Sequence, residues 1–275
     1  MGDFAVMGVV NVTPDSFSDG GAFLSPEAAL AHARRLAGEG ADQIDVGGES
    51  TRPGAEPVSQ DEELRRVMPV VEAFADVASP EVSIDTTKAA VARAAIAAGA
   101  SIVNDVSALR NDPEMVDVVA GSGVVCCLMH MRGEPRTMQE DPRYEDVVSD
   151  VKAFLEDRLA FAVAAGIAER EVWLDPGIGF GKALEHNLEL LRRLDEIVAI
   201  GRPVVVGVSR KSFLGRLTGR PVEGRLAATI ASNVLAYARG ASVFRVHDVA
   251  ALRDALTVAA ATVGVETAWT SPTSR

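Results

Sequence analysis

The sequence is poor in aromatic residues, lysines and cysteines. Phe, Trp and Tyr make up 5 % of the 275 residues and apolar residues 48 %, so a core must consist mainly of Ala, Val, Leu and Ile. Only four of the 27 basic residues are lysines. The formal net charge of −12 argues against nonspecific binding to nucleic acid or to anionic membrane, because both need a basic face. A local basic pocket remains compatible with it.

No run of about 18 uninterrupted apolar residues is present, which predicts that the chain has no transmembrane helix. The segment "MGDFAVMGVVNV" lacks a basic start followed by a long apolar stretch, so we expect no signal peptide and a cytoplasmic protein. The two cysteines, Cys126 and Cys127, are adjacent in the strand-like run "VVCCLMH". Adjacent strand side chains point to opposite faces, and a disulfide between them would be strained. We expect two buried thiols in a reducing compartment.

Short apolar runs recur along the chain and are typical of strands. They cover residues 4–12, 42–48, 81–85, 101–106, 124–130, 171–177, 203–209 and 242–248. Helical patterns lie between them. The first begins with Ser25 as N-cap and Pro26 at the first position, and the second begins with Ser59. Most of these helical segments end at Gly, a common helix terminator.

The order of the elements predicts the fold. Eight strands alternate with eight helical segments, and the strands are apolar on both faces, as a helix-covered parallel sheet requires. This pattern predicts a single-domain (β/α)8 TIM barrel over residues 1–265, followed by a disordered tail over 266–275. A doubly wound open sheet is the alternative, but it usually has a Gly-rich phosphate turn after its first strand. The corresponding segment here is "NVTPDSFSDGG".

A polar residue stands at the end of every predicted strand. These residues are Asn11, Asp45, Asp85, Asn104, His130, Asp175, Ser209 and His247. In a β/α barrel the carboxyl ends of the strands meet at one rim, where active sites lie. Each residue taken singly could instead be the N-cap of the helix that follows it. Eight such endings on one rim favour a polar pocket.

The residue types suggest the chemistry of that pocket. Two carboxylates and an amide, Asp85, Asp175 and Asn104, suit a flat heterocycle rich in N–H groups, because a carboxylate accepts two parallel donors. Asn can both donate and accept, so it can pair with a mixed edge.

A second group of residues suggests an anion site. Arg245 and His247 on the last strand would neighbour Asn11 on the first strand of a closed barrel. Arg and His suit phosphate, and the Asn oxygen suits Mg²⁺. Ser50, Thr51 and Arg52 follow the second strand nearby.

Two long loops occupy the same rim. Residues 11–21 and 47–60 are rich in Pro, Gly and Ser, a composition typical of lids or binding loops. Ordinary mobile connections are the alternative interpretation.

Eight segments, in this order, resemble the signature segments of the dihydropteroate synthase family. They are "MGVVNVTPDSFSDGG", "IDVGGESTRPGA", "SIDT", "NDVS", "LMHMRG", "LDPGIGFGK", "GVSRKSFLG" and "RVHDV". The resemblance spans residues 6 to about 250. It implies a (β/α)8 barrel that condenses 6-hydroxymethyl-7,8-dihydropterin pyrophosphate with p-aminobenzoate, giving 7,8-dihydropteroate and pyrophosphate for folate synthesis. It also implies Mg²⁺ as cofactor, a homodimer, and a second-substrate site that sulfonamides imitate.

The resemblance also assigns residues to sites. For the pterin it implies Asp85, Asn104, Val106, Met129, Asp175, Gly207 and Lys211. For pyrophosphate it implies Asn11, Thr51, Arg245 and His247, with Mg²⁺ on Asn11. For p-aminobenzoate it implies Phe17, Arg52, Pro53, Phe180, Lys211 and Ser212. Catalytic roles fall on Asp85, Lys211, Arg245 and His247.

Two other functions stay open at the level of the sequence. A methyltetrahydrofolate methyltransferase shares the pterin-binding barrel but gives a methyl group to a corrinoid protein, and the segments "SRKSFLG" and "ESTRPG" argue against it. A binding paralogue that has lost catalysis would be expected to lose such segments, which are intact here.

Single residues also keep simpler interpretations. We expect Lys182 to be a solvated charge and His130 a rim histidine with satisfied hydrogen bonds. Asp45 is expected to cap or brace the second loop, and His32 and His186 to lie on helix surfaces.

Overall fold

The chain folds into a closed parallel barrel. The computed structural model describes residues 4–13, 25–51, 55–74, 79–133 and 137–263. Its strands are β1 (Ala5–Asn11), β2 (Gln43–Gly47), β3 (Glu81–Asp85), β4 (Ile102–Asp105), β5 (Val125–Met129), β6 (Val172–Asp175), β7 (Val205–Val206) and β8 (Val243–Val246). They form one sheet in the order β6-β5-β4-β3-β2-β1-β8-β7. A parallel bridge between Leu174 and Val204 joins the two edges, which confirms the predicted (β/α)8 barrel.

Ten α-helices cover this sheet within the described part of the chain. They are α1 (Pro26–Gly38), α2 (Gln60–Ala73), α3 (Ala89–Ala97), α4 (Met115–Ala120), α5 (Val147–Ala164), α6 (Leu184–Arg192), α7 (Leu194–Val198), α8 (Ser212–Thr218), α9 (Leu226–Tyr237) and α10 (Val249–Val263). Ser25 and Ser59 cap α1 and α2 as predicted, because each hydroxyl accepts a backbone N–H of the first turn at 3.3 Å. None of the helices described is long and apolar enough to cross a membrane.

The structure differs from the expected eight helices at two places. The backbone at Arg193 leaves helical geometry, with φ −110° and ψ 31°, and divides one predicted helix into α6 and α7. The short helix α8 precedes the helical segment expected in this unit and is separate from it; it ends at Gly219, whose φ of +70° breaks the helix. Strand β7 is also shorter than predicted; at the start of the predicted strand, Pro203 has no N–H to donate to a ladder. The tail predicted for 266–275 lies outside the described residues.

Side chains alternate between the barrel interior and the helices. The interior cluster consists of Ala5, Met7, Ile102, Val125, Cys127, Trp173, Val205 and Val243. The larger cluster between sheet and helices contains Cys126, so the two cysteines do point to opposite faces. Both are buried, and burial raises the pKa of both thiols, which leaves them unreactive.

The same alternation sets up the functional end of the barrel. Asn104, Asp175 and Arg245 each stand two residues beyond a member of the interior cluster, so they share its inward face. The interior therefore changes from apolar to polar toward the carboxyl ends of the strands, as expected for a barrel with its site at that rim.

Candidate active site

A cavity of about 510 Å³ lies at the carboxyl ends of the strands. Its lining is formed by Val9, Asn11, Thr13, Ser50, Thr51, Met138, Gln139, Gly179, Phe180, Gly207, Ser209, Arg210, Lys211, Ser212, Val222, Arg225, Arg245 and His247. Eight of these had been predicted as site residues from the sequence. This volume suits a small organic ligand.

Five other predicted site residues lie beside this cavity rather than in its wall. They are Asp85, Asn104, Val106, Met129 and Asp175, all buried, at or just beyond the ends of β3 to β6. Arg245 links the cavity to the first of them, and Lys211 lies close enough to Asp175 for their charges to interact. The thirteen predicted site residues that the structure describes thus lie at one end of the barrel, in two adjoining parts.

Arg245 is the link between two buried carboxylates. Its Nε donates to Asp45 Oδ2 at 2.5 Å and its Nη2 donates to Asp85 Oδ2 at 2.8 Å. Asp45 is fully buried and Asp85 is 9 % exposed. One guanidinium cannot neutralise two carboxylates, so this end of the barrel keeps an excess of negative charge when both are ionised.

The environment of Asp85 disfavours its charged form. Burial raises the pKa of the Asp85 carboxyl, Arg245 partly offsets that rise, and the charge of Asp45 adds to it. Burial lowers the pKa of Arg245, but the same two carboxylates together outweigh it, so the pKa is raised and the guanidinium stays charged. A cation arriving beside Asp85 would favour its ionised form.

Asp45 does not brace the second loop, so that expectation was wrong. Its carboxylate accepts the Ser83 hydroxyl at 2.6 Å and the Asn104 amide nitrogen at 3.2 Å, besides Arg245. The reason is the pleat: Asp45 occupies an inward position paired in register with Ser83, so it points into the barrel.

Asp175 presents a carboxylate at the end of β6. Its Oδ1 accepts the Gly177 N–H at 2.6 Å, which fixes the group while the other oxygen makes no hydrogen bond with a described residue. Burial raises the pKa of Asp175, and the charge of Lys211 opposes this rise. Beside it lies an apolar cluster of Val106, Met129, Met131 and Met138, and Phe180 packs against this cluster.

Lys211 stands between the two parts of the site. It precedes α8, and its Nζ donates to the Ile178 carbonyl and lies 4.5 Å from the centre of the Phe180 ring. Burial lowers the pKa of Lys211 to about 8, although Asp175 opposes this shift; the charge of Arg245 adds to it. The ammonium can therefore be lost within an accessible pH range.

Lys182 is buried, so its interpretation as a solvated charge was wrong. It is 3 % exposed, and its Nζ lies 2.9 Å from His130 Nδ1, 2.9 Å from the Gly177 carbonyl and 3.0 Å from the Phe180 carbonyl. Burial lowers the pKa of Lys182. His130 Nδ1 has Lys182 as its partner, and burial, with the charge of Lys182, lowers the pKa of His130 to about 2.

The predicted anion residues Asn11, Thr51, Arg245 and His247 all line the cavity. His247 Nδ1 is 2.9 Å from Ser209 Oγ, and that oxygen also accepts the backbone N–H of His247 at 3.2 Å. Ser209 thereby orients the imidazole. Asn11 and Thr51 line the same cavity, at the end of β1 and after β2.

The remaining predictions divide into two groups. Phe17, Arg52 and Pro53 lie outside the described residues, so their placement stays a prediction. Ser212 is exposed at the cavity wall. Gly207 is buried in the same wall, and a Cβ added at Gly207 would lie 3.8 Å from Lys211 Nζ. Met138 and Gln139 were not predicted; they lie in irregular chain after β5, which has no periodic signal.

These features define the class: a (β/α)8 barrel with a partly buried, charged ligand site at its carboxyl rim. Comparison with known proteins agrees. The family model described as "Pterin binding enzyme" matches residues 7–247. The chain is 46 % identical over 257 residues to the dihydropteroate synthase of Haemophilus influenzae, covering 94 % of this chain and 93 % of that protein.

Solved structures give the same result. The chain resembles the dihydropteroate synthase of Yersinia pestis in complex with a sulfonamide drug, with a TM-score of 0.91, 46 % identity, and 95 % and 94 % of the two chains covered. It resembles that of Xanthomonas albilineans in complex with 7,8-dihydropteroate, with a TM-score of 0.84, 49 % identity and the same coverage. The chain belongs to the pterin-binding enzyme family, and the relatives that it matches are dihydropteroate synthases.

Proposed function

We propose that the protein is a dihydropteroate synthase, which joins 6-hydroxymethyl-7,8-dihydropterin pyrophosphate to p-aminobenzoate in folate biosynthesis. The observation that carries this conclusion is the polar end of the barrel. Arg245 joins two buried carboxylates there, beside Lys211 and a 510 Å³ cavity. The X. albilineans relative holds the product of this reaction, 7,8-dihydropteroate.

The buried part of the site suits the pterin. Asp175 offers an oxygen that accepts no hydrogen bond from a described residue and can accept N–H groups from the amino-pyrimidine edge. Asn104 offers an amide that pairs with a mixed edge, and Lys211 donates to a ring carbonyl or ring nitrogen. Val106 and Met129 supply an apolar wall for the flat ring.

The open part of the site suits pyrophosphate. Arg245 and His247 line it with donors, and Thr51 adds a hydroxyl near the second loop. Because Arg245 also touches Asp85, the anion and the pterin would be held on either side of one guanidinium. That position is where negative charge develops when the leaving group departs.

Asn11 fits a role as a single magnesium ligand. Its side chain lines the cavity and makes no hydrogen bond with a described residue, which leaves its amide oxygen available. Within the described residues no cluster of three His, Cys, Asp or Glu side chains could hold a metal. This fits Mg²⁺ arriving mainly on substrate phosphates, since that ion keeps waters and needs few protein ligands. When bound, it would neutralise pyrophosphate charge.

The reaction requires little proton chemistry from the protein. The bond from the pterin methylene carbon to oxygen breaks, and its electron pair leaves with pyrophosphate. The pterin methylene cation that remains is stabilised by the negative charge around Asp85 and Asp45. The lone pair of the arylamine then forms the new C–N bond, and the released proton goes to pyrophosphate or water. Positioning of the amine matters more than a strong base.

The second substrate would lie against the exposed side of Lys211. Phe180 and Ser212 line this part of the cavity, and the ring of Phe180 packs against the Lys211 ammonium. We assign the p-aminobenzoate ring to this wall, with Phe17, Arg52 and Pro53 completing it.

The direct test is a turnover assay of the purified protein with both substrates and Mg²⁺. Pyrophosphate release that depends on p-aminobenzoate supports the synthase. A methyltransferase would show no such release, and a binding paralogue would bind the pterin pyrophosphate without turnover. Neither alternative is favoured by the relatives, which are dihydropteroate synthases.

We also propose a cytoplasmic homodimer formed through the last helices. Five of the seven large apolar side chains exposed in the described part of the chain lie on α8, α9 and α10: Leu217, Leu226, Leu235, Val258 and Val263. Such a concentration is typical of a surface that is covered by a partner.

A further inference from the structure

Asp45 is a fully buried carboxylate at the site, and both of its oxygens accept hydrogen bonds from protein side chains. It is 0 % exposed. Its two oxygens receive three donors from three different strands: Ser83 on β3 at 2.6 Å, Asn104 on β4 at 3.2 Å and Arg245 on β8 at 2.5 Å. A buried carboxylate with this many donors is held in one orientation.

These contacts decide what Arg245 presents to the cavity. Nε is held by Asp45 and Nη2 by Asp85, while Nη1 makes no hydrogen bond with a described residue. The plane of the guanidinium is therefore set by two carboxylates, and its remaining edge is the part available to an anion.

The same carboxylate decides what Asn104 presents to a ligand. An amide can be turned by half a rotation with little change in shape, which would exchange its donor and acceptor. Because Nδ2 donates to Asp45, the nitrogen end is fixed, and Oδ1 together with the second N–H remains for the ligand. Asp45 therefore contacts one residue from each part of the site.

We infer that Asp45 is a positioning residue that orients Arg245 toward the pyrophosphate and Asn104 toward the pterin ring, so that one buried carboxylate sets both halves of the substrate site. This inference rests on the proposed function. The inference goes beyond that function because it gives a role to a residue that touches neither substrate.

The test is Asp45→Asn, with binding of two separate half-ligands, inorganic pyrophosphate and 6-hydroxymethylpterin, measured by calorimetry. We expect the affinity for each half-ligand to fall at least tenfold. The KM for p-aminobenzoate at saturating pterin substrate should change less than threefold. A purely structural Asp45 would not produce this pattern.

The matched control is Asp105→Asn. Asp105 is also fully buried, on β4, but its oxygens accept the backbone N–H groups of Ser107 and Leu109, at 2.7 and 2.8 Å, on its own side of the strand end. It should lose stability while both affinities stay within threefold of wild type. The inference is overturned if Asp45→Asn behaves like Asp105→Asn, with a lower melting temperature and unchanged affinities.

A second variant keeps the test decisive if Asp45→Asn does not fold. Ser83→Ala removes one donor to Asp45 without touching either half-ligand, so both affinities should fall at least threefold; unchanged affinities would overturn the inference. The outcome is separate from that of the proposed function. Failure of wild-type turnover would reject the synthase activity, whereas the half-ligand affinities test Asp45 by themselves.

Discussion

At the scale of the residue, Lys211 is the group on which both substrates are expected to depend. A lysine can approach the pterin with a compact ammonium while its stem lies along an aromatic ring. The structure places that ammonium over Phe180 and near Asp175, in the gap between the two parts of the site. Its position between acceptors and an aromatic face explains why a lysine serves here in a chain that otherwise prefers arginine.

Substitution Lys211→Arg should lower kcat at least tenfold although the charge is kept. The planar guanidinium is bulkier and cannot make the same contact with the pterin carbonyl and ring nitrogen. Steady-state kinetics with both substrates varied will measure this, and circular dichroism and melting temperature should stay near wild type. Near-normal activity of Lys211→Arg would show that the proposed contacts of Lys211 with the substrates are wrong.

The pH dependence provides an independent check on Lys211. Burial lowers its pKa to about 8, so the ammonium is present below that pH and is lost as the pH rises through it. We expect kcat/KM for the pterin substrate to fall above pH 8 with a one-proton slope, because this parameter follows the free enzyme. In Lys211→Arg the guanidinium stays charged, so this decline should vanish; if it persists, another group causes it.

Substitution Asp175→Asn should weaken pterin binding by about 2–4 kcal/mol, or roughly 30- to 1,000-fold. The amide keeps an oxygen that can accept the Gly177 N–H, but the second oxygen is replaced by an NH₂ group that would face an N–H donor of the pterin. Calorimetric titration with the pterin pyrophosphate measures the loss. Binding of inorganic pyrophosphate serves as the control and should be unchanged. An affinity for the pterin pyrophosphate within threefold of wild type would exclude Asp175 from the pterin site.

At the scale of the element, the segment between β6 and α6 is held tightly against the end of β5. Gly177 and Gly181 have φ values of +65° and +61°, and a Cβ at either would overlap a backbone carbonyl, of His130 and Arg132 respectively. Lys182 then donates to carbonyls of this segment and contacts His130. This segment follows Asp175 and contains Phe180, so holding it in place fixes the positions of both side chains.

Substitution Lys182→Met should therefore affect both stability and the second substrate. It leaves the Phe180 carbonyl and His130 Nδ1 without the ammonium that donates to them, and it takes one of two donors from the Gly177 carbonyl, so the free energy of unfolding should fall by about 2–4 kcal/mol. Displacement of Phe180 should raise the KM for p-aminobenzoate about tenfold, on the scale that one well-placed contact contributes.

Urea unfolding and steady-state kinetics measure the two effects of Lys182→Met. Lys152→Met on α5 is the control, since Lys152 contacts none of these atoms. If Lys182→Met matches Lys152→Met in both measurements, Lys182 does not hold this segment.

At the scale of the whole molecule, the exposed apolar side chains on α8 to α10 predict a dimer. Leu235 on α9 is 55 % exposed. Leu235→Asp should place a charge in the interface and convert the dimer to a monomer, because an unpaired buried charge opposes association. Sedimentation velocity will show this. Val163→Asp, at a residue 41 % exposed on α5, should leave the assembly unchanged. If the wild-type protein sediments as a monomer, the proposed dimer is wrong.

The order and type of the elements follow from the sequence alone, because each depends on local patterns. Short runs that are apolar on both faces predicted all eight strands, and Ser25 and Ser59 predicted two helix starts. Since parallel strands end at one rim, strand-end residues such as Asp85 and Asp175 could be placed in one site before any coordinates were known.

Only the tertiary structure decided which of these polar groups touch each other. Asp45 and Arg245 are 200 residues apart, and their hydrogen bond depends on barrel closure and on strand register. Lys182 looked like a surface charge because nothing local shows that His130 lies against it, 52 residues away. Periodicity reports which face a residue occupies. Partners across the barrel are set by packing of distant segments, so burial, charge state and hydrogen bonding could be known only from the folded chain.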